Sequence, residues 1–153
     1  INLYLTKNKY IMINLYTWPT PNGRKISILL EELEVKFKII PINIQNNEQF
    51  SKEFTIISPT NKIPVIIDKN TNESIFESGA IMIYLAKKYN KFLSEEHYWE
   101  IMKWFFFQIS QVGPFLGQAH QFLYYNKGKS SYAENKYKDY VKRVYDTLEN
   151  RLE

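Results

Sequence analysis

Two short stretches of the sequence carry the residues best suited to chemistry. The first is Thr20–Gly23, which reads Thr-Pro-Asn-Gly, and the second is the pair Glu77 and Ser78. In both, polar side chains stand at the start of a predicted helix, where backbone N–H groups lack partners and attract anions. The second stretch directly follows a predicted strand at residues 74–76. We therefore expect a carboxylate to bind at Ser78.

The elements that must position these residues follow an α/β pattern. Runs of β-branched and aromatic residues predict strands at residues 13–18, 37–42, 65–67 and 74–76. Helices are predicted at residues 24–34, 50–57 and 77–90, the first from apolar side chains spaced i, i+3, i+4, i+7: Ile26, Leu29, Leu30 and Leu33. Ile63-Pro64 is a candidate cis-proline bond before the third strand. The order β-α-β-α-β-β-α predicts an α/β domain over residues 12–90.

Beyond residue 90 the pattern becomes helical. Apolar side chains recur with helical spacing over Tyr98–Val112 and again over Tyr137–Leu152, so residues 91–153 are predicted to be all-helical. Gly113-Pro114 is expected to end or kink the first of these helices. Residues 1–11 are interpreted as a leader outside the fold. Because the chain stops inside a periodic helix without a C-cap signal, we expect a fragment or a truncated gene product.

The amino-acid composition argues against metal-binding, nucleic-acid-binding and membrane-spanning functions. The chain has 153 residues, a net charge of +4, no cysteine and two histidines, so we expect no disulfide, no cysteine-bound metal and no metal cofactor. Its lysines are scattered rather than striped, which gives nucleic-acid binding little support. No apolar run approaches the ~20 residues of a membrane span. The first residues lack the apolar core of a signal peptide, so we expect a cytoplasmic protein that binds no membrane.

Several quoted motifs together carry a family resemblance. They are Leu15-Tyr16, Thr20–Lys25, Asn61–Ile66, Phe76–Ile81, Tyr84–Ala86 and Trp104–Gln108. In this spacing they resemble the glutathione transferase family. The loop at Thr20–Lys25 is similar to the bacterial nu class and to the transferase-like domain of the yeast nitrogen-regulatory prion protein. The resemblance implies a thioredoxin-like N-terminal domain followed by an all-α C-terminal domain, which is incomplete here.

The resemblance also implies a site for glutathione as bound co-substrate. Ser78 and its helix start would hold the γ-glutamyl carboxylate, and Glu77 would pair with the α-amine. The backbone of Ile63 would pair with the tripeptide like an added strand, and Gln49 would contact its glycyl end. The residues alone leave other interpretations open: Ser78 as a helix cap, Glu77 as a favourable dipole charge, Ile63-Pro64 as a structural turn, and Gln49 as a solvated loop residue.

The thiol of glutathione needs help to ionise, because a free cysteine thiol has a pKa near ~8.5. By resemblance, Thr20 and Asn22 are the catalytic pair that orients and stabilises the sulfur. Turn formation and N-capping are the alternative for both residues. Tyr16 is a rival thiol partner, but its place inside a strand favours a core role. For Lys136 a solvated helix face, and for His120 packing or hydrogen bonding, are the preferred interpretations.

The function predicted from these residues is glutathione-dependent thiol–disulfide oxidoreductase activity. Bound glutathione thiolate would attack a small disulfide substrate, because the chain has no cysteine of its own. Conjugation of glutathione to small electrophiles is the alternative activity. A non-catalytic glutathione-binding protein and an inactive fragment are two further alternatives. The resemblance also implies a homodimer.

Overall fold

The computed structural model describes residues 12–153; the predicted leader, residues 1–11, lies outside the described residues. The described chain forms two compact units, the first ending at Leu93 and the second comprising Ser94–Glu153. None of the helices in residues 12–153 has the length and apolar character needed to cross a membrane.

The first unit has the predicted element order. Its strands and helices are β1 (Ile13–Thr17), α1 (Pro21–Glu32), β2 (Phe37–Pro41), α2 (Lys52–Ile57), β3 (Val65–Asp68), β4 (Glu73–Phe76) and α3 (Ser78–Tyr89). Two 3₁₀ turns, Ile44–Asn46 and Glu48–Phe50, lie between β2 and α2, so α2 begins two residues later than predicted. This order confirms the predicted thioredoxin-like fold. Helix α1 begins three residues earlier than predicted, because Thr20 caps it and Pro21 takes its first position.

The four strands form one sheet in the order β2-β1-β3-β4. β1 runs parallel to β2 and antiparallel to β3, and β3 runs antiparallel to β4. Val65, the first residue of β3, pairs with Tyr16 near the end of β1 and with Phe76 at the end of β4. We call this the Val65 end of the sheet. Both α1 and α3 therefore begin at the Val65 end, because each follows a strand that ends there.

The core of this unit lies between one face of the sheet and helices α1 and α3. Alternate residues of β1, Ile13 and Leu15, are fully buried against it, as period-two alternation requires. The helices contribute buried side chains at Ile26, Leu30, Ile81 and Leu85. Each such side chain stabilises the fold by about 1.5–3 kcal/mol relative to an exposed one. The packed core thus fixes both helix starts against the sheet.

A buried ionic cluster closes the opposite end of β3. Asp68 is fully buried; it accepts hydrogen bonds from the Tyr84 hydroxyl at 2.6 Å and the Asn70 N–H at 2.9 Å, and it forms a salt bridge with Lys88. Burial raises the pKa of the Asp68 carboxyl, but hydrogen bonds from Lys88, Tyr84 and Asn70, together with the Lys88 charge, hold that pKa below its usual value. The charged pair joins the end of β3 to the last turns of α3.

The second unit is helical, as predicted. It contains α4 (Tyr98–Phe107), α5 (Gly113–His120) and α6 (Ser131–Leu152), with π-helical segments at Gln108–Val112 and Gln121–Tyr125. The expected interruption at Gly113-Pro114 takes the form of the first π segment. A widened turn suits this place because Pro114 has no N–H and its ring crowds the preceding turn. Phe115 stacks on Tyr140 with ring centroids 4.5 Å apart, which joins α5 to α6.

The Asp68 cluster yields a stability prediction. We expect Asp68→Asn to lower the free energy of unfolding by about 3 kcal/mol at neutral pH, because it leaves the Lys88 charge unpaired. A carboxyl with a depressed pKa stabilises the fold above its unfolded pKa of about 3.9, and this contribution is lost as pH falls through the folded value. Urea unfolding from neutral to acid pH measures both effects.

The matched control is Asp146→Asn in the exposed Lys142–Asp146 pair of α6. We expect this change to cost less than about 0.5 kcal/mol, since exposed pairs contribute little. Equal losses for the two variants, or an Asp68→Asn variant that keeps the acid dependence of the wild type, contradict the prediction.

Candidate functional site

The topology brings the predicted site residues to the Val65 end of the sheet. Thr20 and Asn22 follow β1, Ile63 precedes β3, and Glu77 and Ser78 follow β4. Gln49 follows β2, whose last residue pairs with the last residue of β1 at the same end. Residues spread over 59 positions of sequence, from 20 to 78, thus meet because four strand ends meet.

Thr20 caps helix α1. Its backbone is extended, and its Oγ1 accepts a hydrogen bond from the Gly23 N–H at 3.2 Å. This is the N-capping role that the residues alone left open. The hydroxyl proton of Thr20 remains available as a donor. Within residues 12–153 the Asn22 N–H has no hydrogen-bond acceptor, and Pro21 has no N–H, so Asn22 offers the first free backbone donor of α1.

Helix α1 sits unusually close to the end of β1, and Gly23 permits this. A Cβ atom on Gly23 would lie 2.2 Å from Thr17 Oγ1 and 2.6 Å from the Trp18 carbonyl oxygen. Gly23 is buried, and one of these neighbours is backbone, so no side-chain rotation relieves the clash. Any larger residue must push the start of α1, with Thr20 and Asn22, away from the sheet.

The start of α3 differs from that of α1. Glu77 occupies the cap position with φ 67° and ψ 117°, and its side chain makes no capping hydrogen bond. Ser78 is the first helical residue, so it does not cap the helix. In the described part of the chain no acceptor meets the N–H groups of Ser78, Gly79 or Ala80. A positive φ costs a non-glycine residue about 1–3 kcal/mol. This uncapped first turn has the donors and the dipole that attract an anion.

Glu77 and Lys25 link the two helix starts electrostatically. Burial lowers the pKa of the Lys25 ammonium, and the negative charge of Glu77 partly opposes this by raising it. Glu77 is exposed and forms no salt bridge with any residue between 12 and 153. Its carboxylate therefore remains available to an ammonium group outside the chain.

Ile63 lies at the bend that leads into β3. The Ile63-Pro64 peptide bond is cis. Among the described residues neither the N–H nor the C=O of Ile63 has a hydrogen-bond partner. Gln49 has a buried Oε1 that likewise lacks a partner within residues 12–153, while its carbonyl accepts a hydrogen bond from Asn61 at 3.0 Å. Both residues thus keep polar groups unpaired near the same bend.

The remaining predicted residues make other contacts. Tyr16 is half-buried and its ring lies 6.4 Å from that of Phe54. In the second unit, His120 is exposed with its ring 4.9 Å from Tyr125, and Lys136 Nζ lies 5.5 Å from the Tyr132 ring. Residues 12–153 contain no group of three or more His, Asp or Glu side chains that could hold a metal ion.

Two contributors, Lys25 and Asn61, were missed from the sequence, and so was the close-packing role of Gly23. Each lies inside a motif that was quoted for its resemblance. Gly23 is helical, and its lack of a side chain is what permits the close approach of α1 to the end of β1. Asn61 has φ 54°, and asparagine's tolerance of left-handed backbone was the available signal.

Comparison with known proteins places these features in context. Residues 12–87 match the family described as glutathione S-transferase, N-terminal domain. The chain is 42% identical over 149 residues to the disulfide-bond oxidoreductase YfcG of Escherichia coli, covering 93% of this chain and 69% of that protein. It is 40% identical over 141 residues to the protein URE2 of Debaryomyces hansenii, covering 86% of this chain and 46% of that protein.

Solved structures agree in fold. Ure2p in complex with glutathione has a TM-score of 0.84 at 33% identity, covering 91% of this chain and 67% of that one. A glutathione transferase from Pseudomonas putida, with one glutathione disulfide bound per subunit, has a TM-score of 0.85 at 33% identity, covering 95% and 66%. The chain thus spans about two thirds of these structures and less than half of the Debaryomyces relative.

The close approach at Gly23 yields a second prediction. We expect Gly23→Ala to lower the free energy of unfolding by about 1–3 kcal/mol, because the added methyl overpacks the contact with Thr17 and Trp18. Gly117→Ala in α5 is the matched control, since a Cβ there meets nothing within 4 Å. That control should be neutral or stabilising by about 0.5–1 kcal/mol. Denaturant unfolding of both variants decides; equal effects on stability contradict the packing argument.

Proposed function

We propose, from the premise that this chain belongs to the glutathione S-transferase family, that it binds glutathione and uses the bound thiolate to reduce small disulfides. The observation that carries the proposal is the uncapped start of α3 beside the unpaired carboxylate of Glu77. Together they offer free N–H donors to a carboxylate and a counter-charge to an ammonium. The γ-glutamyl end of glutathione carries both groups on one carbon.

The peptide is held at three points in this proposal. Its γ-glutamyl carboxylate accepts hydrogen bonds from the first N–H groups of α3 and the Ser78 hydroxyl. The unpartnered N–H and C=O of Ile63 pair with the tripeptide backbone in the manner of an added strand. The Gln49 side chain meets the glycyl end.

The thiol then lies at the start of α1. The Thr20 hydroxyl proton and the Asn22 donors stabilise the thiolate, and the helix dipole adds to their effect. Thr20 serves both as cap and as donor, because its oxygen accepts from Gly23 while its proton stays free. Catalysis here consists of lowering the thiol pKa and aiming the sulfur.

Two exchange steps complete the reaction. The glutathione thiolate attacks one sulfur of the substrate disulfide, forms a mixed disulfide and releases the other sulfur as a thiolate. A second glutathione thiolate attacks the glutathione sulfur of that mixed disulfide, which yields glutathione disulfide and the second substrate thiolate. The name of the Escherichia coli relative and the bound glutathione disulfide of the Pseudomonas enzyme support this choice.

Conjugation to small electrophiles is the second candidate, because it begins from the same thiolate and several structural relatives are described as transferases. We also propose a homodimer. Large apolar side chains are exposed in each unit, with Phe50 63%, Trp99 77% and Phe106 57% exposed, and burial of such side chains against a second copy would contribute favourable free energy.

The two activities are separable by assay. We expect the chain to reduce 2-hydroxyethyl disulfide with glutathione and to conjugate an aryl halide more slowly. Turnover of the aryl halide with no reduction of the disulfide would contradict the proposed disulfide reductase activity and favour conjugation. Glutathione binding without turnover of either substrate would favour a non-catalytic glutathione-binding protein.

Asn22→Ala tests the thiolate site. Loss of a hydrogen bond to a charged sulfur costs about 1.5–3 kcal/mol, so we expect kcat to fall roughly 10- to 100-fold while the Kd of glutathione changes little. Steady-state kinetics and calorimetric binding measure the two quantities. Asn150→Ala, at an exposed position of α6, is the control and should change neither. Equal losses of turnover and binding for Asn22→Ala refute its assigned role.

A further inference from the structure

The bend before Ile63 is held by side chains to which the proposed reaction gives no role. Ser58 is fully buried, and its hydroxyl donates to the Lys62 carbonyl at 2.8 Å while accepting from the Lys62 N–H at 3.2 Å. One side chain thus satisfies both backbone groups of the residue next to Ile63. The buried side of the bend therefore leaves neither backbone group of Lys62 unpaired.

Asn61 ties this bend to two other elements. Its N–H donates to the Ser58 carbonyl at 2.9 Å, and its backbone is left-handed with φ 54°. Its side-chain Nδ2 donates both to the Gln49 carbonyl at 3.0 Å and to Thr55 Oγ1 at 2.7 Å. A single planar amide therefore connects the bend to the 3₁₀ turn at Glu48–Phe50 and to α2.

We propose that Asn61 is a positioning residue that fixes Gln49 relative to Ile63 and so sets the fit for the glycyl half of the bound tripeptide. This inference rests on the proposed glutathione site. Both hydrogens of the Asn61 amide are used, so its plane fixes two partners at once. Asn61 binds the backbone carbonyl of Gln49, and the side chain of the same residue carries the buried, unpaired Oε1.

The inference assigns Asn61 to binding and leaves the thiol chemistry to α1. The start of α1 is positioned by the Thr20 cap and by the close approach of Gly23 to Thr17 and Trp18, all of which lie outside residues 49–63. Loosening the bend therefore weakens the binding of glutathione, whereas the sulfur of bound glutathione still contacts the donors of Thr20 and Asn22. The expected signature is a rise in the Kd and KM of glutathione with kcat preserved.

Asn61→Gly isolates the side chain, because glycine keeps the left-handed backbone at no steric cost. We expect the Kd of glutathione to rise roughly tenfold, because the Gln49 carbonyl and Thr55 Oγ1 both lose the donor that fixes them relative to the bend. The kcat at saturating glutathione should stay within about twofold of the wild type. Calorimetric titration with glutathione and disulfide reduction measure the two quantities.

Asn72→Gly is the matched control. Asn72 has nearly the same backbone, with φ 57°, but it lies in the β3–β4 turn at the opposite end of the sheet. Its side chain makes no hydrogen bond within residues 12–153, although its N–H donates to the Asp68 carbonyl much as that of Asn61 does to Ser58. We expect this variant to bind glutathione like the wild type and to unfold at a similar denaturant concentration.

Thr55→Val is a second, milder variant, which removes one acceptor of the Asn61 amide at an exposed position of α2. We expect a roughly threefold rise in the Kd of glutathione, and this variant decides the matter if Asn61→Gly does not fold. If Asn61→Gly folds and binds glutathione with wild-type affinity, the inference is wrong while the proposed function stands. If Asn61→Gly does not fold, wild-type affinity in Thr55→Val has the same meaning. Failure of the wild-type chain itself to bind glutathione overturns the proposed function and the inference together.

Discussion

The pairing of Val65 with both Tyr16 and Phe76 is the constraint on which the rest of the first unit depends. Side chains alternate between the two faces of a strand, so a slip of one residue in β3 would turn its buried residues away from the helices. The buried Ile66 and the core of α1 and α3 exclude such a slip. The same register delivers the ends of β1 and β4 to one place, and with them the starts of both helices.

The two helix starts differ in a way that matches two tasks. Helix α1 satisfies one of its own N–H groups through Thr20, so its remaining donors are few and directed. Helix α3 begins at Glu77 without a capping side chain, and the backbone strain at Glu77 persists because the strand before it and the core after it leave no alternative path. A capped start suits the orientation of one sulfur atom, whereas an open start suits a carboxylate with several acceptor positions.

Local sequence patterns were enough to predict the element order, because strand and helix periodicity survive within each segment. They placed the start of α1 late, since Pro21 and Gly23 resemble turn residues until the cap at Thr20 is known. The π segment before Pro114 depends on its backbone hydrogen bonds, and the strain at Glu77 depends on the strand and core that flank it; no local pattern encodes either. The tie from Asn61 to Gln49 spans 12 positions and follows only from the folded arrangement of α2 and the bend.

The distant end of β3 explains how the Val65 end can leave polar groups unpaired. Asp68 joins β3 to Tyr84 and Lys88, so the strand and helix α3 are fixed to each other by a charged contact at one end and by apolar packing in the middle. Two such attachments define the orientation of a helix on a strand without any hydrogen bond at its first N–H groups. The N–H groups of Ser78, Gly79 and Ala80 and the backbone of Ile63 are therefore not needed to hold the fold together. Because stability comes from elsewhere, these groups are free to bind a ligand.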